Sequence, residues 1–472
     1  MSRERTPIVI LGAGPAGLGA ACRLAKRGCF QVTVVEQNQV VGGNAGSFEL
    51  SGFNVDYGSH RLHPACDPGI LADIRSMLGP DLLDRPRHGR IRLRGRWVHF
   101  PLKPVDLALR LPLDFAFGVG RDALFRNGNK ETEENFVSVL EKGLGRTICR
   151  DFYFPYARKI WGVEPESLDA EQARRRVSAG SVGKLVRKVL SAVPGLKPPG
   201  AGRFFYPKHG FGSIAEAYRK SAEAAGATVR LGTAVTGLDF REGRAAGVTV
   251  RGKDGEEYLP ARQIFSTIPV TALTRLTSPA PPSNVRESAA ALRFRAMLLI
   301  YLVLETEQFT EYDAHYFPGR DIGITRLSEP KNYGLATSPG LTVLCAELPC
   351  FPEDSIWSAS EEQLGKTVME ALEAAGIPVR VPVRQVAVKR LRQAYPVYLR
   401  QFGEHFRRID AWLNELDGVL TFGRQGLFAH DNTHHALAMA YAAEKCLDDA
   451  GNLNREAWAE YRRSFEAHVV ED

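Results

Sequence analysis

Three glycines and one acid near the amino terminus are the residues with the clearest chemical use. Gly12, Gly14 and Gly17 follow the apolar residues 8–11, and Glu36 ends a second apolar run. In such an array the first glycine permits a tight strand-to-helix turn, the second admits a pyrophosphate, and the third allows close helix packing. The helix amino terminus then offers N–H groups to phosphates, and Glu36 lies where a carboxylate accepts from ribose hydroxyls. The spacing predicts a dinucleotide site.

A second glycine-rich segment follows Glu36 and distinguishes this chain from a simple NAD domain. Gly42 and Gly43 predict a turn where such a domain would continue directly into a helix. Residues 48–55 then read as a hairpin that turns at Ser51-Gly52, since short alternating segments separated by such a pair form β-hairpins. The segment 56–63 comes next. The chain therefore has an added glycine turn and hairpin beside the dinucleotide.

Together these motifs resemble the FAD-dependent amine oxidase and protoporphyrinogen oxidase-like superfamily, in the branch related to UDP-galactopyranose mutase. The resemblance implies an α/β fold with a Rossmann-type, GR2-like FAD-binding domain and an inserted α+β substrate domain. The implied FAD-binding domain is discontinuous, and the rest forms the substrate domain. The bounds are 1–100, 201–280 and 385–472 for the FAD-binding domain, and 101–200 and 281–384 for the substrate domain.

The resemblance also assigns residues to the cofactor, FAD. It places the second glycine turn along the pyrophosphate and ribityl chain, and residues 58–63 beside the isoalloxazine ring. It places the backbone near Val235 at the adenine, and the strand, loop and helix after Gly423 at the flavin O2 and N1 edge. The implied cofactor-binding residues are Gly12, Gly14, Pro15, Ala16, Gly17, Glu36, Gln37, Gly43, Asn44, Ser59, His60, Arg61, Val235, Gly423, Arg424, Thr433 and His434.

Three residues are the candidate catalytic groups: His60, Arg326 and His434. The mutases carry a histidine at the position of His60, and their arginine at the position of Arg326 binds the substrate pyrophosphate. Arg326 could instead pair with Glu329, since arginine suits both uses. The histidines could act as acid–base groups near neutral pH or only hydrogen-bond the flavin or its loop. No metal is expected, because no Cys or carboxylate spacing completes a ligand set.

Two reaction classes follow from the resemblance. One is an FAD-dependent oxidoreductase whose flavin accepts a hydride from a small-molecule substrate. The alternative is a mutase-like, redox-neutral isomerase that uses reduced flavin N5 on a nucleotide sugar. His60 and Arg326 favour the mutase, but the position of a further mutase arginine is Ala179, and residues 430–434 replace the mutase Met-Asp ending. These departures favour the oxidoreductase.

Composition limits where the protein acts and what it binds. The 472 residues carry a formal net charge of +7 and seven cysteines, with no C-x-x-C pair. Dispersed cysteines and no recognisable signal peptide predict a cytoplasmic protein. The charge suits an anionic cofactor and has no nucleic-acid motif behind it. The expected partner is a small-molecule substrate, with nucleotide- or lipid-linked forms left open.

Two further segments carry expectations of their own. The basic stretch 174–188 predicts either a solvated face or peripheral contact with an anionic membrane. Residues 105–125 are apolar and predict a helix, either in the core or on a face of the substrate domain that is packed on its neighbour.

Overall fold

The computed structural model describes residues 5–102, 106, 109–124, 134–176, 202–336 and 338–470. In chain order the strands are β1 Thr6–Leu11, β2 Phe30–Val35, β3 Ser47–Leu50, β4 Phe53–Asp56, β5 Leu82–Pro86, β6 Gly89–Leu93, β7 Arg96–Phe100, β8 Arg203–Pro207, β9 Thr228–Arg230, β10 Ala234–Arg241, β11 Arg244–Gly252, β12 Gly255–Pro260, β13 Gln263–Ser266, β14 Thr277–Ser278, β15 Arg293–Leu304, β16 Ala314–Tyr316, β17 Arg326–Ser328, β18 Thr342–Cys350, β19 Val383–Val397 and β20 Val419–Thr421. The α-helices are Pro15–Lys26, Pro68–Leu78, Leu113–Leu124, Phe136–Leu144, Arg146–Ile148, Phe154–Trp161, Ala170–Arg176, Ser213–Ala224, Val270–Leu276, Ser283–Ala291, Glu361–Ala374, Phe402–Glu415, Gly423–Gly426, Thr433–Lys445 and Arg455–Phe465.

A five-stranded parallel sheet, in the order β20-β13-β1-β2-β9, forms the centre of the cofactor-binding part. Strand β1 is apolar on both faces, as expected for a strand covered on both sides. Ile8 and Ile10 lie in one core cluster with helices Pro15–Lys26 and Thr433–Lys445. Val9 and Leu11 lie in the other, with side chains of β10 and β11. The chain therefore has the predicted α/β fold.

A seven-stranded sheet, in the order β19-β15-β18-β17-β16-β6-β7, forms the second part. Alternate side chains of β15 face opposite ways, because side chains alternate along a strand. Met297 and Tyr301 join the core cluster of the cofactor-binding part, whereas Leu298 and Ile300 pack in the cluster that includes helix Glu361–Ala374. This sheet crosses the predicted domain boundaries at 100 and 385, since β6, β7 and β19 all belong to it.

The hairpin predicted for residues 48–55 is present as β3 and β4. Ser51 and Gly52 form its turn with φ of 50° and 86°, a left-handed geometry that suits glycine at the second position. Helix Leu113–Leu124 confirms a helix within residues 105–125, but the expectation that it is packed away is wrong for its outer side. Phe115 is buried, whereas Leu113 is 86% exposed. The helix packs along one side only, so its other apolar face meets solvent.

Within the described ranges, no helix is long and apolar enough to cross a membrane.

Asp56 joins the hairpin to the rest of the cofactor-binding part. Its buried carboxylate accepts from the Ser47 hydroxyl at 2.7 Å, the Phe211 N–H at 2.6 Å and the Tyr206 hydroxyl at 2.7 Å. The Tyr301 hydroxyl of β15 donates to the Asp56 carbonyl at 2.5 Å. Asp56 therefore connects its own hairpin to two segments that are distant in sequence, residues 206–211 and β15.

Replacing Asp56 by alanine is expected to lower the free energy of unfolding by about 3 kcal/mol, because three buried donors would lose their acceptor. Urea unfolding followed by circular dichroism measures the change. Glu49→Ala, on the exposed side of the same hairpin, is the matched control and should stay within about 0.5 kcal/mol of the parent. Equal midpoints for the two variants would contradict the structural role of Asp56.

Candidate functional site

The first glycine loop has the geometry that a pyrophosphate needs. A Cβ on Gly17 would lie 2.0 Å from the Gly12 carbonyl oxygen, so helix Pro15–Lys26 can approach the loop only with glycine there. A Cβ on Gly14 would meet nothing within 4 Å. Gly14 has no side chain to cap the helix, so the first N–H groups receive no capping hydrogen bond from it and are available to a ligand. The loop fits the diphosphate of a dinucleotide.

Two distant segments meet the start of this helix. Gly42 and Gly43 form the second turn with φ of 106° and 53°, and a Cβ on Gly43 would lie 3.4 Å from the Gly14 Cα. A Cβ on Gly423 would lie 2.8 Å from the Ala16 Cβ. The structure thus brings together the predicted residues of the amino-terminal loop, the second turn and the carboxy-terminal loop.

Glu36 holds the loop from the adjoining strand. Its Oε2 accepts from the Ala13 N–H at 2.9 Å, and its Oε1 accepts from the Asn38 N–H at 2.9 Å and the Asn38 side chain at 2.6 Å. The carboxylate is buried. Each carboxylate oxygen can accept more than one bond, so the ribose contact stays a prediction that these bonds permit.

The predicted adenine segment lies at the same end of the sheet. The Thr233 N–H donates to the Glu36 carbonyl at 2.8 Å, and Val235 follows two residues later in β10. Gln37 is exposed beside them. Their cofactor contacts remain predictions.

His60 is neutral, with one ring nitrogen that donates a hydrogen bond and one that can accept. Its Nε2 lies 2.9 Å from the carbonyl oxygens of both Asn44 and Tyr57, so Nε2 carries the proton and Nδ1 the lone pair. The ring stacks on Phe211 with centroids 5.3 Å apart. Burial and the nearby Arg326 charge lower the pKa of His60 to about 4. His60 is therefore uncharged at neutral pH.

Glu347 connects residues 58–63, the segment predicted to lie beside the isoalloxazine ring, to the second sheet. Its Oε1 accepts from the Ser59 N–H at 3.0 Å and from Arg326, with Nε at 2.9 Å and Nη2 at 2.7 Å. Arg326 on β17 faces Glu347 across the β17–β18 pairing. The suggested pairing of Arg326 with Glu329 is wrong: Glu329 accepts instead from two backbone N–H groups and from the Thr342 hydroxyl at 2.7 Å.

Arg326 and Glu347 line a narrow cleft of about 40 Å³ that opens to solvent. Its walls combine aromatic and aliphatic side chains with charged ones. They are Tyr156, Ile160, Arg176, Met297, Thr325, Arg326, Glu347 and Tyr395.

Sequence reasoning missed Arg176 as a cleft residue. Its guanidinium lies 5.4 Å from the ring centroid of Tyr395 and 5.6 Å from that of Trp161. The neighbouring Arg174 and Arg175 pair with acidic side chains. The three arginines differ only in the direction in which each projects from the helix. The sequence of three consecutive arginines does not show which one projects into the cleft.

Part of the basic stretch predicted to contact a membrane makes ion pairs within the protein. Arg174 and Arg175 form ion pairs with Glu134 and Glu171. Residues 177–188, with Ala179, lie outside the described residues.

Arg61 and Arg424 hold protein segments together. The Arg61 guanidinium lies 3.4 Å from Asp313 and 4.8 Å from the ring centroid of Phe204. Arg424 donates at 2.9 Å to the carbonyl oxygens of Asp431 and Ala394. Neither arrangement tests a contact with the flavin.

His434 lies in a row of imidazole rings that are close to one another. Its ring centroid is 6.5 Å from that of His63 and 4.1 Å from that of His435, which stacks at 4.1 Å on His468. Burial lowers the pKa of His434 to about 4 and that of His435 to about 2. Thr433, the first residue of this helix, is half-buried beside them. The contact with His468, 33 residues later in the chain, had no signal in the sequence.

Asp431, His435 and His468 have potential metal-ligand atoms within 4.8 Å of one another. The two rings are almost parallel, at 11°, so their in-plane lone pairs run side by side instead of converging. His468 Nδ1 lies 3.0 Å from an Asp431 carboxylate oxygen, and His435 Nδ1 accepts from the Asn432 N–H at 3.2 Å. Hydrogen bonds account for the cluster, and the expectation of no metal stays a prediction.

The family model described as "Flavin containing amine oxidoreductase" matches residues 15–439. A phytoene dehydrogenase of Streptomyces griseus is 26% identical over 316 residues, which cover 60% of this chain and 59% of that protein. The chain thus spans less than two thirds of this relative's length.

Two solved structures are similar over almost the whole chain. A reduced UDP-galactopyranose mutase has a TM-score of 0.77 and 21% identity, covering 94% of this chain and 93% of that one. A protoporphyrinogen oxidase-like protein from Exiguobacterium sp. 255-15 has a TM-score of 0.71 and 19% identity, covering 94% and 99%. At these identities the likeness shows the fold, including the Rossmann-type part and its inserted domain.

Replacing Gly14 and Gly17 by alanine is expected to affect different properties, FAD binding for Gly14 and stability for Gly17. Gly17→Ala should lower the free energy of unfolding by about 3 kcal/mol, since its Cβ would overlap the Gly12 oxygen. Gly14→Ala should leave the unfolding of the FAD-free protein almost unchanged but weaken FAD binding about tenfold or more, because its Cβ would enter the pyrophosphate space. Urea unfolding and FAD titration by flavin fluorescence measure the two effects.

Gly120→Ala is the control for the FAD titration, because a Cβ there also meets nothing within 4 Å but lies far along the chain from the loop. Unaltered FAD affinity in Gly14→Ala would contradict the placement of the pyrophosphate.

Proposed function

The chain belongs to the flavin-containing amine oxidoreductase family, and from that premise we propose that its flavin accepts a hydride from a C–H bond of a small-molecule substrate. FAD is the cofactor and the protein is an FAD-dependent oxidoreductase. The flavin supplies the two-electron chemistry when bound. The protein binds and orients the substrate, excludes water and accepts a proton.

The observation that carries the proposal is the ion pair between Arg326 and Glu347. Both guanidinium contacts, at 2.7 and 2.9 Å, reach one buried carboxylate oxygen that also accepts from the Ser59 N–H. An arginine whose charge is already balanced inside the protein is a weak anchor for a pyrophosphate. This supports a reaction that does not depend on binding a nucleotide diphosphate through Arg326.

His60 supports the proposal as the proton acceptor. Its Nε2–H is committed to backbone carbonyls, so Nδ1 keeps its lone pair, and its lowered pKa keeps the ring neutral. A neutral imidazole can take the proton that a substrate N–H, O–H or adjacent C–H group loses as the neighbouring C–H bond gives up its hydride. His434 is the second candidate for this role, with its pKa lowered in the same direction.

The cleft walls support a substrate with an unsaturated or aliphatic body and an anionic group. Tyr156, Ile160 and Met297 offer apolar contact, and Arg176 offers a positive charge beside Tyr395. The name of the similar phytoene dehydrogenase describes removal of hydrogen from phytoene. We extend only that reaction class to this chain.

One observation favours the second candidate, a mutase-like isomerase acting on a nucleotide sugar. Arg176 and Arg326 both line the cleft, and two guanidinium groups suit a pyrophosphate. Arg176 and Arg326 would then hold the diphosphate, and reduced flavin would supply the nucleophile for a rearrangement with no net oxidation. The Arg326–Glu347 pair opposes this reading, because a bound diphosphate would have to compete with a carboxylate already in place.

A single anaerobic experiment separates the candidates. Oxidised holoenzyme is mixed with a panel of amines, hydroxy acids, unsaturated fatty acids and carotenoid precursors, and reduced holoenzyme with UDP-sugars. We expect loss of the oxidised flavin absorbance with a member of the first panel. Ring-size interconversion of a UDP-sugar, with no bleaching by the panel, would replace the oxidoreductase by the mutase.

Arg176→Gln is a second arm of that experiment. It should raise the substrate concentration needed for half-maximal bleaching by about tenfold, because a charged contact is lost, while the limiting rate changes little. Arg174→Gln removes a neighbouring arginine that is paired outside the cleft, and it should behave like the parent.

The rate of flavin reduction is expected to be independent of pH above about 5 and to fall at lower pH. His60, with its pKa lowered to about 4, loses its accepting lone pair when it is protonated, so activity disappears as the pH falls through that value. Stopped-flow reduction across the pH range measures the profile. His60→Gln should be slower by about a hundredfold or more and should lack this acidic limb.

His209→Gln provides the comparison, since His209 is an exposed histidine outside the cleft. It should keep both the rate and the limb. An acidic limb that persists in His60→Gln would assign the proton acceptor to another group.

A further inference from the structure

The most exposed large apolar side chains are concentrated in one short segment. Among the described residues, six such side chains are exposed, and four of them fall within residues 109–124. Their exposed fractions are 77% for Leu109, 86% for Leu113, 76% for Phe117 and 81% for Leu124, against 42% for each of the other two. A contiguous patch of this kind marks an interaction surface.

Helix Leu113–Leu124 presents three of these side chains as a stripe. At 3.6 residues per turn, Leu113, Phe117 and Leu124 project within about 40° of one another. The opposite side makes the contacts with the protein: Phe115 is buried in an apolar cluster, and a Cβ on Gly118 would lie 2.7 Å from the Thr147 hydroxyl. The helix is anchored by one apolar face and shows a second apolar face to solvent.

Positive charge borders the stripe. Residues 90–124 contain seven Lys and Arg but three Asp. Arg94, Arg96 and Arg121 are exposed, and the Arg96 guanidinium donates to the Arg110 carbonyl oxygen at 3.0 Å. Arg94 pairs with Asp114 at 2.7 Å and Arg121 lies 3.7 Å from Asp122, so the positive charge of the segment is the excess of four that the three Asp leave. Apolar side chains flanked by arginines complement the interface of an anionic bilayer, where the stems enter the acyl boundary and the charges meet the headgroups.

We propose that helix Leu113–Leu124 docks this protein on the surface of an anionic lipid bilayer. The apolar stripe enters the interface and the surrounding arginines contact the anionic headgroups. The site differs from the basic stretch 174–188, which belongs to a different part of the chain. It does not depend on the proposed reaction.

The docked face lies beside one wall of the cleft. Phe115 packs with Ile148 and Phe152, which lead directly into helix Phe154–Trp161. That helix contributes Tyr156 and Ile160 to the cleft. A bilayer bound by the stripe would therefore lie near the elements that contact substrate.

Vesicle sedimentation with the full-length, FAD-loaded protein tests the proposal. The vesicles are phosphatidylcholine alone or phosphatidylcholine mixed with phosphatidylglycerol. The parent protein should sediment with the mixed vesicles, less with phosphatidylcholine alone, and less at high salt because screening weakens the charge contribution. The triple variant Leu113→Gln, Phe117→Gln, Leu124→Gln should bind the mixed vesicles about tenfold less tightly or worse, as three apolar anchors are lost.

Matched controls separate the stripe from general surface change. The double variant Val40→Gln, Tyr258→Gln alters the other two exposed apolar side chains and should bind as the parent does. The double variant Arg96→Gln, Arg121→Gln should lose most of the preference for phosphatidylglycerol. The flavin absorbance spectrum and unfolding midpoint of every variant should match those of the parent.

Three results would overturn the proposal. The parent protein could stay in the supernatant with both kinds of vesicle. The triple variant could bind as tightly as the parent. The parent could form a dimer without lipid that the triple variant lacks, with no vesicle binding, which would assign the stripe to contact between two copies of the chain. Turnover is not measured, so a failure of docking leaves the proposed reaction untouched, and the reverse also holds.

Discussion

The site depends on one buried carboxylate, that of Glu347. It accepts from the Ser59 N–H of the cofactor-binding part and from Arg326 of the second sheet, so it joins the two sides of the cleft. A Cβ on Gly58 would lie 3.2 Å from its Oε1, which leaves space only for a small residue in the segment beside the ring. His60 follows directly, and its ring position therefore depends on this junction. A buried charge without its partner would be costly, so the two sides of the cleft are stabilised in one arrangement.

The junction is possible because β15 serves both parts of the molecule. One side of this strand packs into the core of the cofactor-binding part, and the other packs under helix Glu361–Ala374. Met297, on the first side, reaches the cleft. The cleft thus lies where the two parts of the molecule pack together through β15. Its polar residues lie at the edge of these apolar contacts. Substrate specificity then rests on a few side chains, of which Arg176 and the Arg326–Glu347 pair carry the charge.

The packing of helix Leu113–Leu124 leaves an apolar stripe on the protein surface. Helix Leu113–Leu124 is attached to the protein by Phe115, which packs beside Ile148 and Phe152, and by Asp122, which accepts from the Thr147 N–H at 2.6 Å. Its outer face is then free to vary without loss of the fold, yet it carries leucine and phenylalanine. Exposing these apolar side chains to water is unfavourable, and contact with a bilayer would remove that exposure.

Residue types and spacing predicted the dinucleotide loop and the hairpin after Glu36, and the resemblance of these motifs to a known family supplied the α/β fold and FAD. These are local constraints: Gly17 is required by a carbonyl five residues away, and a turn at Ser51-Gly52 needs only its own backbone. Tertiary structure alone decided that Arg326 pairs with Glu347 and not Glu329, that Arg176 turns into the cleft, and that one face of a predicted packed helix is exposed. Each of these depends on the direction of a side chain relative to a segment far away in sequence, and periodicity within one segment carries no information about that neighbour.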